Sequence, residues 1–290
     1  MTLILYVIER TQLVILITGA TGVVGREAVR RLLEGGAKVA AVTRNPDADL
    51  PAGAHLVHPD EVAALNGVEG ILLSPRAVGA AVAGLLARAR KTGTRRVVVL
   101  SAVTAQYPAG HARFRQQFQA VENIARDCGL DWTILRCTDF AANTLAWAGQ
   151  IQATGTVRGA YPSARTSTID ERDIAAVATL ALTCPEHAGQ TYLLTGEQSL
   201  SQSEKVAAIG AALGRTLSFV EAAPDEIRCG MLGAGLPDEV PDRLLGSLAG
   251  YARQAGPTTD TVRRLLGRPA RTYATWAVDH CAAFAGEGHR

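Results

Sequence analysis

Three glycines near the start of the chain are spaced so that the main chain could bind phosphate groups. They are Gly19, Gly22 and Gly25, within the stretch TGATGVVG. Gly19 permits a tight turn, Gly22 lets a ligand approach the backbone, and Gly25 lets a helix pack closely against a strand. The spacing therefore predicts a site for the diphosphate of a dinucleotide. A glycine-rich turn in an unrelated α/β domain is the alternative.

The sequence on both sides of these glycines agrees with this prediction. An apolar run at residues 13–17 predicts a strand before the turn, and apolar residues at helical spacing predict a helix after it. We expect Thr21, Val23 and Val24 at the start of that helix. Free N–H groups and the positive end of the helix dipole would face the phosphates there.

The residues after a second predicted strand, at positions 38–42, bear on the choice of cofactor. Folds that bind NAD commonly place an acidic residue here to bond the ribose 2′-hydroxyl, but this chain has Arg44 and no acid before Asp47. A guanidinium can grip a 2′-phosphate through two parallel hydrogen bonds. We therefore predict NADP(H) as the cofactor, with a solvated turn arginine as the alternative.

Five stretches of the chain resemble, in order and spacing, the NmrA-like group of atypical short-chain dehydrogenase/reductases. They are TGATGVVG at 18–25, VTRNP at 42–46, GLDWTILR at 129–136, DERDIAAVA at 170–178 and YLLTG at 192–196. The resemblance spans residues 12–284. It implies an NAD(P)H-binding fold more firmly than it implies a reaction.

The catalytic residues of better-known relatives are only partly present. Those enzymes carry a Ser, a Tyr thirteen residues later and a Lys four residues further on; the Tyr moves a proton and the Lys lowers its pKa. Counting from Ser101 reaches Phe114 and Phe118 instead. The resemblance thus makes Ser101 a candidate catalytic and cofactor-binding residue. It gives no counterpart for the Tyr and the Lys of the relatives.

Phe114 and Phe118 belong to one predicted helical row, with Val121, Ala125 and Cys128. We expect both rings on the buried face of that helix. Core packing is one interpretation. The other is that the two rings form the wall of an apolar substrate pocket beside the nicotinamide.

Four further residues are candidates for the ligand-binding edge of the sheet. Ser74 follows a predicted strand at 70–73, where its backbone could contact the cofactor. Tyr107 and His111 lie in the loop after Ser101 and are candidate proton donors, although a loop Tyr or His is more often solvated than catalytic. The resemblance places Cys137 near the nicotinamide, where we expect an inert thiol because the strand is buried.

The same resemblance places Phe140 and Asn143 at the start of the substrate side.

Strands alternate with helices along the chain, which predicts an α/β fold with a doubly wound parallel sheet of Rossmann type, in the order 3-2-1-4-5-6. We expect a dinucleotide-binding core at 12–137 and a smaller, mainly helical substrate-side region at 138–290, interleaved with the core. Residues 1–11 look like an N-terminal extension, whether edge strand, tail or misassigned start.

Several finer predictions concern individual elements. Helices are expected at 78–90, 112–128, 171–182 and 201–213, and short strands at 55–58, 132–136, 166–169, 191–194 and 217–220. Asp170 is a natural N-cap for the helix at 171–182, and Asp173 in the first turn of that helix should support the cap and the helix dipole. His55 and His58 would point to opposite faces of a strand, so we expect no metal there.

Composition excludes some functional classes. The chain has 290 residues, 48% of them hydrophobic, and 29 Lys and Arg against 27 Asp and Glu. Without a basic run, we expect no nucleic-acid partner. The apolar run at 3–8 is too short for a membrane span or a signal peptide. Five scattered cysteines fit reduced thiols in the cytoplasm. The sequence does not determine the oligomeric state, and a homodimer is one possibility.

These observations support two hypotheses of different classes. The first is an NADPH-dependent reductase acting on a small, apolar carbonyl, quinone or enone, because such a quinone or enone can take its proton from water. The second is an NADP-binding sensor or regulatory protein without turnover, which the loss of both Tyr and Lys favours. We favour the enzyme, because the largely apolar C-terminal part looks built to enclose a ligand. An isomerase or dehydratase has no positive sign in the sequence.

Overall fold

A parallel sheet of seven strands forms the centre of the computed structural model, which describes residues 13–64, 66–107 and 110–286. The predicted extension at 1–11 lies outside these residues. The strands, in chain order, are β1 (Val14–Thr18), β2 (Lys38–Val42), β3 (Ala54–Val57), β4 (Gly70–Leu73), β5 (Arg96–Ala102), β6 (Asp131–Cys137), β7 (Thr156–Gly159), β8 (Arg165–Thr166), β9 (Gln190–Leu194), β10 (Leu200–Ser201) and β11 (Ser218–Glu221).

The order of the central sheet is β3-β2-β1-β4-β5-β6-β9, and each neighbouring pair in it is parallel. The predicted order 3-2-1-4-5-6 is therefore confirmed, with β9 added beside β6. The helices are α1 (Val23–Glu34), α2 (Pro75–Val78), α3 (Val82–Lys91), α4 (Ala112–Asp127), α5 (Ala148–Thr154), α6 (Glu171–Thr183), α7 (Gln202–Ala212), α8 (Pro224–Gly233), α9 (Glu239–Arg253), α10 (Thr261–Leu266), α11 (Tyr273–Asp279) and α12 (Cys281–Ala285).

Helices cover both faces of the sheet because alternate residues of each buried strand point to opposite sides. On one face, Ile15 and Val98 pack with α1 and α6. On the other face, Leu16 and Val99 pack with α3 and α4. The apolar rows of these helices bury themselves against the continuous apolar strands, which is the doubly wound arrangement.

A third apolar cluster holds the C-terminal part together around the fully buried Trp276. It joins α5, α7, α11 and α12 to the parallel pair β7 and β11. The antiparallel pair β8 and β10 lies beside it, and Ser201 begins α7 with a capping box that includes Glu204. The predicted boundary at residue 137 falls on the last residue of β6.

Two local predictions were wrong. The helix expected at 78–90 is broken, because Gly79 takes φ +60° and separates α2 from α3. The strand expected at 166–169 ends at Thr166, and Ile169 forms only an isolated bridge with Phe140. Asp170 does cap α6, its side chain accepting the Arg172 N–H.

Asp173 lies in the first turn of α6, as expected, and also holds a neighbouring segment. Its carboxylate is fully buried and accepts hydrogen bonds from the Arg268 guanidinium and the Arg271 backbone N–H, each at 2.7 Å. It therefore also anchors the segment before α11 onto α6. Across the described residues, every helix is too short or too polar to cross a membrane.

Candidate functional site: the carboxyl edge of the sheet

The glycine turn after β1 leaves room beside its main chain. Gly19 has φ +69°, and its carbonyl accepts the Gly22 N–H at 3.0 Å. A Cβ on Gly25 would lie 2.2 Å from the Gly19 oxygen, so only glycine lets α1 approach β1 this closely. A Cβ on Gly22 would meet only that same oxygen, at 3.3 Å. The main chain at Gly22 is therefore open to the close approach of a ligand, as the glycine motif predicts.

The start of α1 presents this space to an anion. Thr21, Gly22 and Val23 are exposed, while Val24 turns inward and is buried. The first turn of α1 contains no acidic residue. The unpaired N–H groups and the positive end of the helix dipole therefore face solvent without a competing carboxylate.

Ser74 lies beside the same turn. The Thr18 hydroxyl donates to the Leu72 carbonyl at 3.2 Å and accepts the Ser74 N–H at 2.8 Å, which joins the ends of β1 and β4. A Cβ on Gly19 would lie 3.0 Å from the Ser74 Cβ. The strand order reverses between β1 and β4, the place where open sheets of this kind bind ligands.

Arg44 lies two residues beyond β2, at the same edge of the sheet, and is exposed. Local side-chain bonds shape its loop: Thr43 accepts the Asn45 N–H, and Asn45 accepts the Asp47 N–H. Among the residues that the structure describes, no carboxylate pairs with Arg44. Its guanidinium is thus available to a ligand, and its role with a 2′-phosphate stays a prediction.

Ser101 is buried, and its hydroxyl donates to the Glu122 carboxylate at 2.7 Å. Glu122 comes from α4 and is fully buried. It also accepts hydrogen bonds from Arg136 on β6, at 2.6 and 2.9 Å, and from Arg126, at 2.9 Å. Ser101 and Arg136 are direct neighbours in the β5–β6 pairing, so the network joins the ends of two strands to one helix.

The network keeps Glu122 ionised. Burial raises the pKa of this carboxyl, but the hydrogen bonds from Arg136, Ser101 and Arg126 outweigh burial and hold the pKa below its ordinary value. The pKa of Arg136 is raised by the same pair. Arg136 also donates to Gln106 at 3.0 Å, which connects the network to the loop after β5.

Sequence reasoning missed Glu122, although a signal was present. Glu122 follows Phe118 by four residues and Phe114 by eight, so a charged residue lies on the same face of the helix as the predicted apolar row. Phe114 is buried, as expected, while Phe118 is only half-buried. Neither ring belongs to the three apolar clusters of the described residues; Phe114 instead packs against the edge of His111, with ring centroids 6.3 Å apart.

Tyr107 is 41% exposed, and its backbone N–H donates to the Val103 carbonyl. At the end of β6, Cys137 is buried in the apolar cluster beneath α6, and burial raises the pKa of its thiol far above the ordinary range. Phe140 bridges Ile169, and the exposed Asn143 donates to the Asp139 carboxylate at 2.8 Å. The predicted catalytic and substrate roles of these residues stay predictions.

A second polar cluster lies beside Asn143 and was also missed. The fully buried Lys205 of α7 donates to Asp139 and to the Thr166 hydroxyl, each at 2.7 Å. Burial raises the pKa of Asp139, but the Lys205 charge and the hydrogen bonds from Lys205, Asn143 and Thr166 lower it overall. Asp139 and Lys205 are 66 residues apart, and no motif connects them.

No group of three metal-binding side chains occurs among the residues the structure describes. His58 lies at the surface, where its Nδ1 is 3.3 Å from an Asp60 carboxylate oxygen. The polar groups described at this edge thus include the open main chain of the glycine turn, an exposed Arg44 and two internally paired side-chain clusters.

Comparisons with known proteins agree with this geometry. The profile of a family described as NAD(P)H-binding matches residues 19–185. A (4-alkanoyl-5-oxo-2,5-dihydrofuran-3-yl)methyl phosphate reductase of Streptomyces griseus is 34% identical over 94% of this chain and 100% of its own. An NAD(P)H azoreductase of Xenophilus azovorans is also 34% identical, over 93% of this chain and 99% of its own.

Among solved structures, an NADPH-dependent quinone oxidoreductase of Escherichia coli, complexed with NADPH, aligns with a TM-score of 0.78. It is 25% identical and covers 92% of this chain and 99% of its own. The expected resemblance and cofactor class are thereby confirmed. The chain belongs to the NAD(P)H-binding, NmrA-like family of atypical short-chain dehydrogenase/reductases and is an NAD(P)H-dependent oxidoreductase.

Proposed function

We propose that this protein transfers hydride from NADPH to a small, apolar quinone, enone or carbonyl without a Tyr–Lys proton relay. The observation that carries the proposal is the composition of the edge around Ser101. Phe114 and Phe118 stand at the relay positions, and the Ser101 hydroxyl is committed to Glu122. The similarity to an NADPH-dependent quinone oxidoreductase supports the same substrate class.

A quinone or enone suits such a site because the oxyanion formed on hydride addition is delocalised and can take its proton from water. A simple ketone produces a more basic alkoxide and gains more from a protein acid. The reduced nicotinamide supplies the hydride; the protein supplies binding, orientation and exclusion of water. Without a Tyr and a Lys, the reduction of a quinone or an enone should therefore be slowed less than the reduction of a simple ketone.

On the cofactor side, the backbone of Gly19, Thr21 and Gly22 and the first N–H groups of α1, at Val23 and Val24, hold the diphosphate, while Gly25 permits their close approach. Arg44 pairs with the 2′-phosphate, which makes NADP(H) the preferred cofactor. Ser74 and Ser101 shape the edge of the sheet along which the nicotinamide half lies.

On the substrate side, Phe114 and Phe118 form an apolar wall, and Phe140 and Asn143 continue it beyond β6, with Cys137 as inert packing beneath. The placement of both rings outside the core clusters supports this role. Phe118 is half-buried and has surface left to cover a ligand.

The test is NADPH oxidation against a panel of quinones, enones and simple ketones, with wild type, Phe118→Ala and Phe219→Ala. Phe219 is a part-buried ring of the third cluster and serves as the control. We expect turnover of quinones or enones, and an increase of roughly tenfold in KM for Phe118→Ala alone, as expected from about 1.5 kcal/mol of lost apolar contact. Simple ketones turned over as fast as quinones would contradict the proposal.

A further inference from the structure

The loop after β6 contains an ion pair that is buried on one side and reaches the surface on the other. The Lys205 ammonium is fully buried and donates to the Asp139 Oδ2 at 2.7 Å, while a quarter of the Asp139 side chain is exposed. The same oxygen accepts hydrogen bonds from the Thr166 and Thr168 hydroxyls, each at 3.3 Å. The other carboxylate oxygen, Oδ1, remains for a group nearer the surface.

The exposed Asn143 binds that second oxygen, its Nδ2 donating to the Asp139 Oδ1 at 2.8 Å. Asp139 stays ionised beside Lys205, and an ionised carboxylate can only accept hydrogen bonds. The amide nitrogen of Asn143 must therefore face Asp139, which turns the Asn143 Oδ1 away from it. Among the residues that the structure describes, this Oδ1 accepts no hydrogen bond. It is an acceptor whose direction is fixed by the carboxylate behind it.

Contacts of helix α9 place Asn143 at the carboxyl edge of the sheet. A Cβ on Gly246 of α9 would lie 3.0 Å from the Gly110 Cα, in the loop after β5. Just beyond α9, the Gly256 N–H donates to the Arg165 carbonyl on β8 at 3.0 Å, and the last residue of β8 donates to the same carboxylate that holds Asn143. The helix therefore spans from the loop after β5 to β8, and Asn143 lies at the β8 end of that span.

We propose that the Asn143 carbonyl oxygen selects substrates that carry a hydroxyl or N–H donor beside the reducible group, with Asp139 and Lys205 as positioning residues. The inference rests on the proposed function, in which Asn143 lines the substrate side. An amide beside a neutral partner can turn over and offer its N–H instead of its oxygen. The ion pair removes that choice, so a ligand that presents an ether oxygen at this position leaves the acceptor unpaired.

The test compares a quinone that carries a hydroxymethyl group with its methoxymethyl counterpart. Their affinities for the NADP⁺ complex are measured by calorimetry with wild type, Asn143→Ala and Asn123→Ala. Asn143→Ala should weaken binding of the hydroxymethyl quinone about fivefold and of the methoxymethyl quinone less than about twofold, because one hydrogen bond to the ligand is lost. Asn123 is exposed on α4, where its Oδ1 accepts from Arg126, and this control should leave both affinities unchanged.

A double variant, Asp139→Asn with Lys205→Met, tests the positioning residues. It removes both charges together, which a fold tolerates better than the loss of one partner. Asn143 is then still present but free to turn over, so the ratio of the two quinone affinities should fall about threefold. A merely structural role would weaken binding of both quinones alike. An unchanged ratio in the folded double variant would refute the positioning role.

Three results with Asn143→Ala would overturn the inference: an unchanged ratio of quinone affinities, an equal loss for the two quinones, or a loss of NADPH affinity in place of the quinone effect. The last result would assign the Asn143 oxygen to the nicotinamide carboxamide. A wild type that binds neither quinone would overturn the inference together with the proposed substrate class. Binding without turnover would refute the proposed function alone, because calorimetry requires no hydride transfer.

Discussion

Two stretches of the same sheet edge differ in whether their polar groups already have hydrogen-bond partners. At the start of α1, backbone N–H groups remain open around Gly22. At the ends of β5 and β6, Ser101, Glu122 and Arg136 are hydrogen-bonded to one another. The first stretch is prepared for a ligand, and the second is satisfied internally.

The difference follows from the kind of group involved. Main-chain donors at a helix start are unpaired by geometry and need no side chain to make a site. Side-chain acids and bases are costly when buried alone, so a protein without a relay stabilises them in pairs. Four substitutions test this contrast.

The largest effect should come from Gly22→Val. Gly22 has extended backbone, φ −73° and ψ 166°, which valine also adopts, so the fold should survive. The new side chain would occupy the open space that fits the diphosphate. We expect NADPH affinity to fall by about a thousandfold or more, measured by fluorescence titration.

The matched control is Gly25→Val, where the Cβ would collide with the Gly19 carbonyl at 2.2 Å. This variant should lose stability as well as binding. A folded Gly22→Val protein with normal NADPH affinity would show that the motif is only a turn.

Next in size is Glu122→Ala, which tests the closed stretch. Removing one partner of a buried ion pair leaves Arg136 uncompensated and should cost about 3–5 kcal/mol of the free energy of unfolding. Chemical denaturation measures this cost. An unchanged free energy of unfolding would mean that the network contributes nothing to the fold.

The same carboxylate gives a pH dependence with a definite sign. The folded pKa of Glu122 is lowered, so its contribution is complete above the unfolded value, about 4.3, and is lost as the pH falls through the folded value. Wild type should therefore lose its stability advantage over Glu122→Ala in acid. A constant difference between the two proteins from neutral pH into acid would contradict this assignment.

Arg44→Ala should have an intermediate effect, confined to the open stretch. Loss of a charge-assisted contact costs about 1.5–3 kcal/mol, which is one to two decades in NADPH affinity. NADH, which lacks the 2′-phosphate, should be unaffected. Equal losses for the two cofactors would refute the role of Arg44.

The smallest effect is expected for Tyr107→Phe. Tyr107 is largely solvated, and we predict a change in kcat below about threefold, with no tyrosine ionisation in the rate between about pH 6 and 9. The measurement is kcat against pH for both proteins with a quinone substrate. A loss of several hundredfold would identify Tyr107 as the proton donor and end the hypothesis of chemistry without a protein acid.

What the sequence determined by itself is local. The glycine turn lies within eight consecutive residues, and the alternation of apolar strands with helices is repeated along the chain, so fold class, strand order and cofactor class could be predicted. The presence of Phe114 and Phe118 at 13 and 17 residues after Ser101 was equally visible. In each case, neighbours in sequence carry the whole signal.

The tertiary structure decided which groups pair with isolated charged side chains. Glu122 could pair with Ser101 and Arg136 only once α4 packed on β5 and β6, and Lys205 reached Asp139 across 66 residues. A charge placed at a helical position has no intrinsic partner; packing decides which groups share its low-dielectric surroundings, and that choice depends on the whole fold.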